Sequence, residues 1–374
     1  MPCSVESFPH LSAFLAGSPR EWSDLQISEK VLLDLCTAED LAPLCFHRVS
    51  RSPGDGWPRS LRQILAESAH AQAAEELLRG NEIRAVLHAL VLGGVSPILI
   101  KGAPLAYTVY ETPACRARDD TDLIIPENNV DAARRVMTSL GYSTTVHCSD
   151  LFSQFEVQKI DRFGVSHAFD IHWKISTQPV FQSVLTHREI APRAEPLPAL
   201  GPDAISVGPV DALLLACVHP VMHHRNAQRV LWIYDVHLLA GRLSALEFSE
   251  FSGLARGKQM AAVCAHQLRL AQTVFATAVP PSVLDALSAP GAPEPSAAYL
   301  ASKRGWRHEL ASSVLGLPRV ADRAKLLRHV LLPSPSYMLG AYGLRGNALG
   351  PWLLPALYVH RNMRGAWKIL MGKK

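Results

Sequence analysis

The chain has 374 residues, of which 48% are apolar, 19% charged and 7% aromatic, and its formal net charge is +4. This composition excludes a disordered chain, a collagen and a coiled coil, and the length suits two or three domains. Seven cysteines (Cys3, Cys36, Cys45, Cys115, Cys148, Cys217 and Cys264) occur without a C-x-x-C, which fits free thiols in a reducing, cytoplasmic setting.

No basic stretch followed by an apolar one opens the chain, so no signal peptide is expected. Residues 26–50 read as short helices from the spacing of Val31, Leu32, Leu35, Leu41 and Leu44. Pro and Gly make 50–58 a loop. A long helix rich in Ala, Leu, Glu and Arg follows over 59–92, with Gly80-Asn81 as a break and Gly93-Gly94 as its stop. The uncharged run 85–100 is too short and too interrupted to span a bilayer.

Residues 97–100 form a short apolar run that reads as a buried strand. A turn at 101–104 leads into a short helix over 105–110, with Pro104 suited to its first turn. A second strand covers 121–125. An amphipathic helix over 129–140 stops at Gly141. Residues 155–160 and 166–175 read as a hairpin around the turn 161–164. The fold class is therefore α+β, a small mixed-sheet core embedded in mostly helical N- and C-terminal regions. Beyond a Pro- and Ala-rich boundary at 187–205, residues 211–240 and 255–275 are strongly helical. The expected units are 1–58 (helical), 59–186 (the α/β core with its leading helix), 187–294 (a helical cleft domain) and 295–374.

The last unit is distinct in charge. It carries thirteen basic side chains, Lys303, Arg304, Arg307, Arg319, Arg323, Lys325, Arg328, Arg345, Arg361, Arg364, Lys368, Lys373 and Lys374, against only Glu309 and Asp322. Its net charge of +11 contrasts with −7 for residues 1–294, and Trp306, Tyr337, Tyr342, Trp352, Tyr358 and Trp367 are interleaved. That mixture suits the anionic inner face of a membrane; nucleic acid, a nucleotide or an ordinary solvated basic surface are the alternatives.

Three carboxylates carry the chemistry. Asp120 and Asp122 are two apart on a strand and so share one face. Asp170 sits in Phe169-Asp170-Ile171-His172-Trp173, where a charge costs several kcal/mol unless it is paired or metal-bound. Converging, the three would form a hard oxygen site for Mg²⁺, with two ions about 3.5–4 Å apart clamping a displacement at phosphorus. The plainer reading makes Asp119-Asp120 a turn and Asp122 an edge residue. His172 shares the Asp170 side of its strand, as a substrate group or a structural hydrogen bond. His219 and His223 are spaced for zinc and His224 follows. The Glu of H-E-x-x-H is absent, however, and Pro220 interrupts the helix, so a cleft-lining face or a buried histidine is expected. Asp235 would cap, pair or read the substrate. Walker A, G-x-G-x-x-G and G-x-S-x-G patterns are missing.

In residues 98–142 an apolar strand ends in Lys101-Gly102, a short helix follows, Arg116 precedes Asp120-Thr121-Asp122-Leu123, and a helix ends in Gly141-Tyr142. This order resembles the uncharacterised nucleotidyltransferase family, a branch of the polymerase-β-like superfamily. The resemblance continues through Asp170-Ile171-His172-Trp173, His219 and Trp232-Ile233-Tyr234-Asp235, and spans about 95–240. It implies Asp120, Asp122 and Asp170 as ligands of two Mg²⁺ ions (Mn²⁺ as the alternative), with Asp170 also orienting or deprotonating an acceptor hydroxyl. It implies Lys101 and Gly102 as the phosphate turn. There the usual Gly-Gly or Gly-Ser is replaced by Gly102-Ala103, followed by Pro104, which has no N–H. Lys101 would compensate as a point charge, or merely reach solvent. Arg116 and Arg118 would pair with phosphate or neutralise the carboxylates. The implied activity is transfer of NMP from an NTP such as ATP, base unspecified, to a hydroxyl acceptor, a peptide among the options. A non-catalytic nucleotide- or peptide-binding module of the same fold, and a membrane-surface or RNA-binding protein acting through its tail, are the alternatives.

Overall fold

A computed structural model describes residues 9–51, 56–145, 153–291, 293–301, 311, 314, 319–333, 335–344 and 350–370. Cys3, Cys148, Trp306, Lys303, Arg304, Arg307, Arg345, Lys373 and Lys374 lie outside the described residues. Helices α1 (Pro9–Leu15), α2 (Glu29–Glu39) and α3 (Ala42–Arg51) come first, and the Ser28 hydroxyl caps α2 by accepting from the Val31 N–H. Helix α4 (Arg59–Leu92) follows, then β1 (Ile98–Ile100), α5 (Gly102–Thr108), β2 (Asp120–Ile124), α6 (Val130–Ser139), β3 (Ser143–Thr145), β4 (Gln154–Ile160) and β5 (Ser166–His172).

The strands form one seven-stranded mixed sheet in the order β3-β4-β5-β2-β1-β7-β6. Its last two members, β6 (Glu195–Pro196) and β7 (Ile205–Ser206), come from the Pro- and Ala-rich segment, which also holds the short helix α8 (His187–Ile190) after α7 (Pro179–Gln182). Pairing is parallel between β2 and β5 and between β1 and β7, and antiparallel elsewhere.

Period-two alternation divides the core between the two faces of this sheet. Leu99, Leu123, Phe155, Val157, Phe169 and Ile171 pack with Ile83, Val86, Leu87 and Leu90 of α4 and with Ala133 and Met137 of α6. Ile98, Ile100 and Ile124 point the other way, into the larger helical core of α9 (Pro209–His223), α10 (Val230–Ala240), α11 (Ala245–Gly257), α12 (Ala261–Phe275) and α13 (Pro281–Ser288). Each fully buried Phe or Leu here contributes about 1.5–3 kcal/mol. Asp120 and Asp122 lie on this second face, between sheet and helices.

Several boundaries differ from the sequence reading. Helix α4 runs unbroken through Gly80-Asn81. A Cβ on Gly80 would sit 2.8 Å from the Tyr107 hydroxyl, so this glycine serves close approach rather than a kink. Pro220 lies inside α9, and its carbonyl accepts the His224 and Asn226 N–H groups that close the helix. The expected helix over 211–240 divides at Arg225 and Asn226, both left-handed with φ 53° and 56°. Similarly, α11 and α12 are separated at Gln259, with φ 58°. Strand β5 stops at His172 rather than at 175.

The C-terminal region adds α14 (Val320–Leu331), α15 (Pro335–Ala341) and α16 (Gly350–Leu370). Cys36, Cys45, Cys115, Cys217 and Cys264 are free, and all five are buried. Among the described residues, no helix is long and apolar enough to cross a membrane.

Candidate active site

The site begins where β1 ends. Lys101 turns the chain into α5 with φ 57° and ψ −133°, a region that disfavours side chains and costs about 1–3 kcal/mol in a non-glycine residue. That turn sends the Lys101 side chain across to β2, where Nζ donates to Asp122 Oδ1 at 2.6 Å. Asp122 is register-paired with Asp170 on the parallel neighbour β5, so the two carboxylates stand side by side on one face. Two residues along β5, His172 places Nε2 2.9 Å from Asp122 Oδ1 and 3.4 Å from Lys101 Nζ. Gln154 on β4 donates to Asp170 Oδ2 at 3.2 Å. Asp120 shares the face of Asp122 and is exposed at the mouth.

The electrostatics show a cluster short of positive charge. Burial works to raise Asp122, but the Lys101 ammonium and the His172 hydrogen bond overcome it and hold this carboxyl well below the usual range. Its neighbours bear the consequence. The charge of Asp122 pushes Asp120 up to about 6, and burial together with the charges of Asp122, Asp120 and Glu156 pushes Asp170 up to about 8. Burial and the adjacent Lys101 lower His172, which favours the neutral imidazole. Ligand atoms from Asp122, Asp170 and His172 all lie within 4.8 Å of one another. Two carboxylates and a neutral imidazole, crowded around a single ammonium, form a donor set that fits a divalent cation.

Beside this cluster lies a cleft of about 300 Å³. Lys101, Gly102, Asp120 and Asp122 line its sheet side; Ala212, Leu215, Ala216 and His219 of α9 and Leu231, Trp232 and Asp235 of α10 line the opposite wall. Gln72, Glu75 and Arg79 of α4 close a third side. A Cβ on Gly102 would stand 3.5 Å from the Arg116 guanidinium.

Arg116 and Arg118 both line the cleft, yet neither forms an ion pair with the three aspartates. Arg116 grips Asp235 with Nε to Oδ1 at 2.8 Å and Nη2 to Oδ2 at 2.8 Å, and the Tyr110 hydroxyl donates to the same carboxylate at 2.7 Å. Arg118 holds Glu76 through two bonds of 2.6 and 2.8 Å. Arg79 donates to the Arg118 carbonyl and, at 3.1 Å, to Glu75. Asp235 therefore pairs, rather than caps, and ties α10 to the loop before β2. Glu75, Glu76 and Arg79 were absent from the sequence reading. With Gln72 they recur at i, i+3, i+4 and i+7, a polar stripe that the helical period alone would have exposed.

His219 and His224 meet at 3.3 Å between Nε2 atoms, and both rings pack against Trp232. Burial pushes His219 well below its ordinary value. His219 and His224 line the cleft, whereas His223, the i+4 partner of His219, does not; among the described residues none of the three belongs to a group of candidate metal ligands.

The mixed sheet thus sets Asp122 and Asp170 side by side on adjacent parallel strands at the edge of an open cleft. The sequence model of the uncharacterised nucleotidyltransferase family matches residues 26–276, and the chain belongs to that family. The match begins at the helical N-terminal region and ends just past α12, so the family unit includes both walls of the cleft. No curated protein matches the chain.

Proposed function

We propose that the protein transfers a nucleoside monophosphate from an NTP to an acceptor hydroxyl, on a small molecule or a peptide, in a reaction that depends on Mg²⁺ or Mn²⁺. The observation that carries this reading is the register pairing of Asp122 with Asp170, with His172 beside them, at the edge of the cleft. When bound, divalent cations would offset the negative charge that develops at phosphorus during transfer.

The chain's own residues do the rest. Asp122 and Asp170, with Asp120 at the mouth and the His172 imidazole behind, hold the cations. Lys101, whose ammonium neutralises Asp122, is the positive charge that would be available to phosphate were a cation held by the carboxylates. Gly102 lets the triphosphate approach the backbone. Arg116 and Asp235 brace α10, so the wall that carries His219 and Trp232 keeps its distance from the sheet. Asp170 orients the acceptor hydroxyl and, once ionised, would accept its proton on a carboxylate oxygen. The base faces the His219, His224 and Trp232 surface.

Incubation with α-³²P-labelled NTPs, Mg²⁺ and a panel of small-molecule and peptide acceptors tests the proposal. Wild type should transfer label and release pyrophosphate, while Asp122→Asn should lose at least about 100-fold, equivalent to about 2.7 kcal/mol of transition-state stabilisation. Equal labelling by both proteins would end the proposal. Isothermal titration with Mn²⁺ gives an independent readout: binding should weaken at least tenfold in Asp122→Asn.

A further inference from the structure

We propose that the C-terminal helices form a membrane-surface anchor, with α14 and α16 laying outward-facing apolar stripes into an anionic lipid bilayer. On α16, Trp352, Val359, Met363 and Trp367 are 85%, 57%, 67% and 62% exposed. Their positions recur at seven, four and four residues, so they lie on one helical face. Tyr358, Arg361 and Asn362 of the same helix turn the other way, while His360 and Arg364 are exposed. Tyr358 donates to the Pro333 carbonyl at 2.5 Å, Arg361 to Val330 at 2.8 Å and Asn362 to Leu331 at 2.9 Å. A helix of a water-exposed domain buries its apolar stripe; α16 leaves this one uncovered.

Helix α14 repeats the pattern with Val320, Leu327 and Leu331, exposed at 75%, 40% and 50%. Scattered apolar residues on a surface are ordinary, but two helices with outward stripes mark a contact surface.

Charge identifies the partner. Residues 295–374 carry a net +11, and Arg319, Arg328 and Arg364 are exposed beside the stripes. A second copy of this chain would bring +11 against +11. Nucleic acid would satisfy the charge and leave the Val, Met and Leu side chains in water. An anionic bilayer satisfies both, with cations at the headgroups and the stripe in the acyl boundary. Trp352 and Trp367, separated by about 22 Å of helix, belong at headgroup depth. No described helix is apolar enough to cross, so the layer lies on the surface.

Co-sedimentation of the full chain with vesicles tests this. Vesicles of phosphatidylcholine with about 30% phosphatidylglycerol should pellet the protein at roughly 0.1 M salt, and phosphatidylcholine alone should bind at least tenfold less. The fourfold variant Trp352→Ser, Val359→Ser, Met363→Ser and Trp367→Ser should lose at least tenfold on anionic vesicles. Should that variant misfold by circular dichroism, wild-type binding must still weaken steeply between low and high salt, and tryptophan emission must shift to the blue on vesicles. Absence of wild-type pelleting, or equal pelleting of a folded fourfold variant, overturns the proposal. So does light scattering that shows a wild-type dimer and a monomeric variant, or RNA binding retained by the variant without vesicle binding. Label transfer to a soluble acceptor should be the same in wild type and variant, so failure of the anchor and failure of the transferase reading are told apart.

Discussion

At Arg116 and Asp235, two opposite charges 9% and 6% exposed sit in a bidentate bridge between the loop before β2 and helix α10. Removing one partner of such a pair leaves a buried uncompensated charge and costs about 3–5 kcal/mol. Asp235→Asn should therefore lower the thermal midpoint by several degrees, measured by calorimetry; a change within a degree would show that the bridge is dispensable. Lys101 poses a different question, because its ammonium occupies the position beside Asp122 that a cation would take. Lys101→Met removes the competitor as well as the counter-charge. Apo stability should fall, while Mn²⁺ affinity, read by titration, should rise or hold; a parallel loss of both would remove Lys101 from the role of resident cation.

Between elements, close approach and ion pairing set the geometry of the cleft. Gly80 lets α4 meet Tyr107, whose hydroxyl donates to Glu76 at 2.6 Å, and Glu76 in turn holds Arg118. Gly80→Leu would push Tyr107 off this network, and overpacking of this kind costs about 1–3 kcal/mol. A shift in urea midpoint reads it, and an unchanged midpoint would mean that α4 simply moves aside. Glu111, just beyond α5, ties α3 to the core through His47 at 2.7 Å and Arg51 at 2.8 Å, with Arg48 on its other oxygen. His47 and Arg48 hold its carboxyl down at about 2. A depressed carboxylate stabilises above its unfolded value and loses that contribution as pH falls. The stability gap between wild type and Glu111→Gln should thus be full at pH 6 and shrink below about pH 4.5 toward pH 2. A constant gap across that window would exclude ionisation as its source.

For the molecule as a whole, cation binding to the folded state alone should raise stability by mass action. Mg²⁺ at ten times its dissociation constant adds roughly 1.4 kcal/mol, a rise of about 1–3 °C in a chain of this size. EDTA should reverse it and Asp122→Asn should abolish it. A rise that persists in the variant would place the ion elsewhere. The described residues that line the cleft run from Asp40 to Asp235, so the basic layer contributes no wall to it. Catalysis and surface attachment are accordingly expected to separate.

The sequence by itself determined the order of strands and helices through the core, the pairing face of Asp120 and Asp122, and the family, because these rest on local periodicity and short-range motifs. The same period-two rule put His172 on the side of Asp170. Local pattern had no access to partners that are distant in the chain. Arg116 and Asp235 are 119 residues apart and Arg118 and Glu76 are 42 apart; the sequence assigns the two arginines to phosphate or the aspartates, leaves Asp235 to cap, pair or read the substrate, and gives Glu76 no role. The register of β2 against β5, which sets Asp122 beside Asp170, depends on long-range sheet pairing, as does the recruitment of β6 and β7 from a Pro-rich segment. Composition gave the tail its charge. Only the packing of α14 and α16 decided that their apolar stripes face outward, since which side of a helix is buried depends on its neighbours.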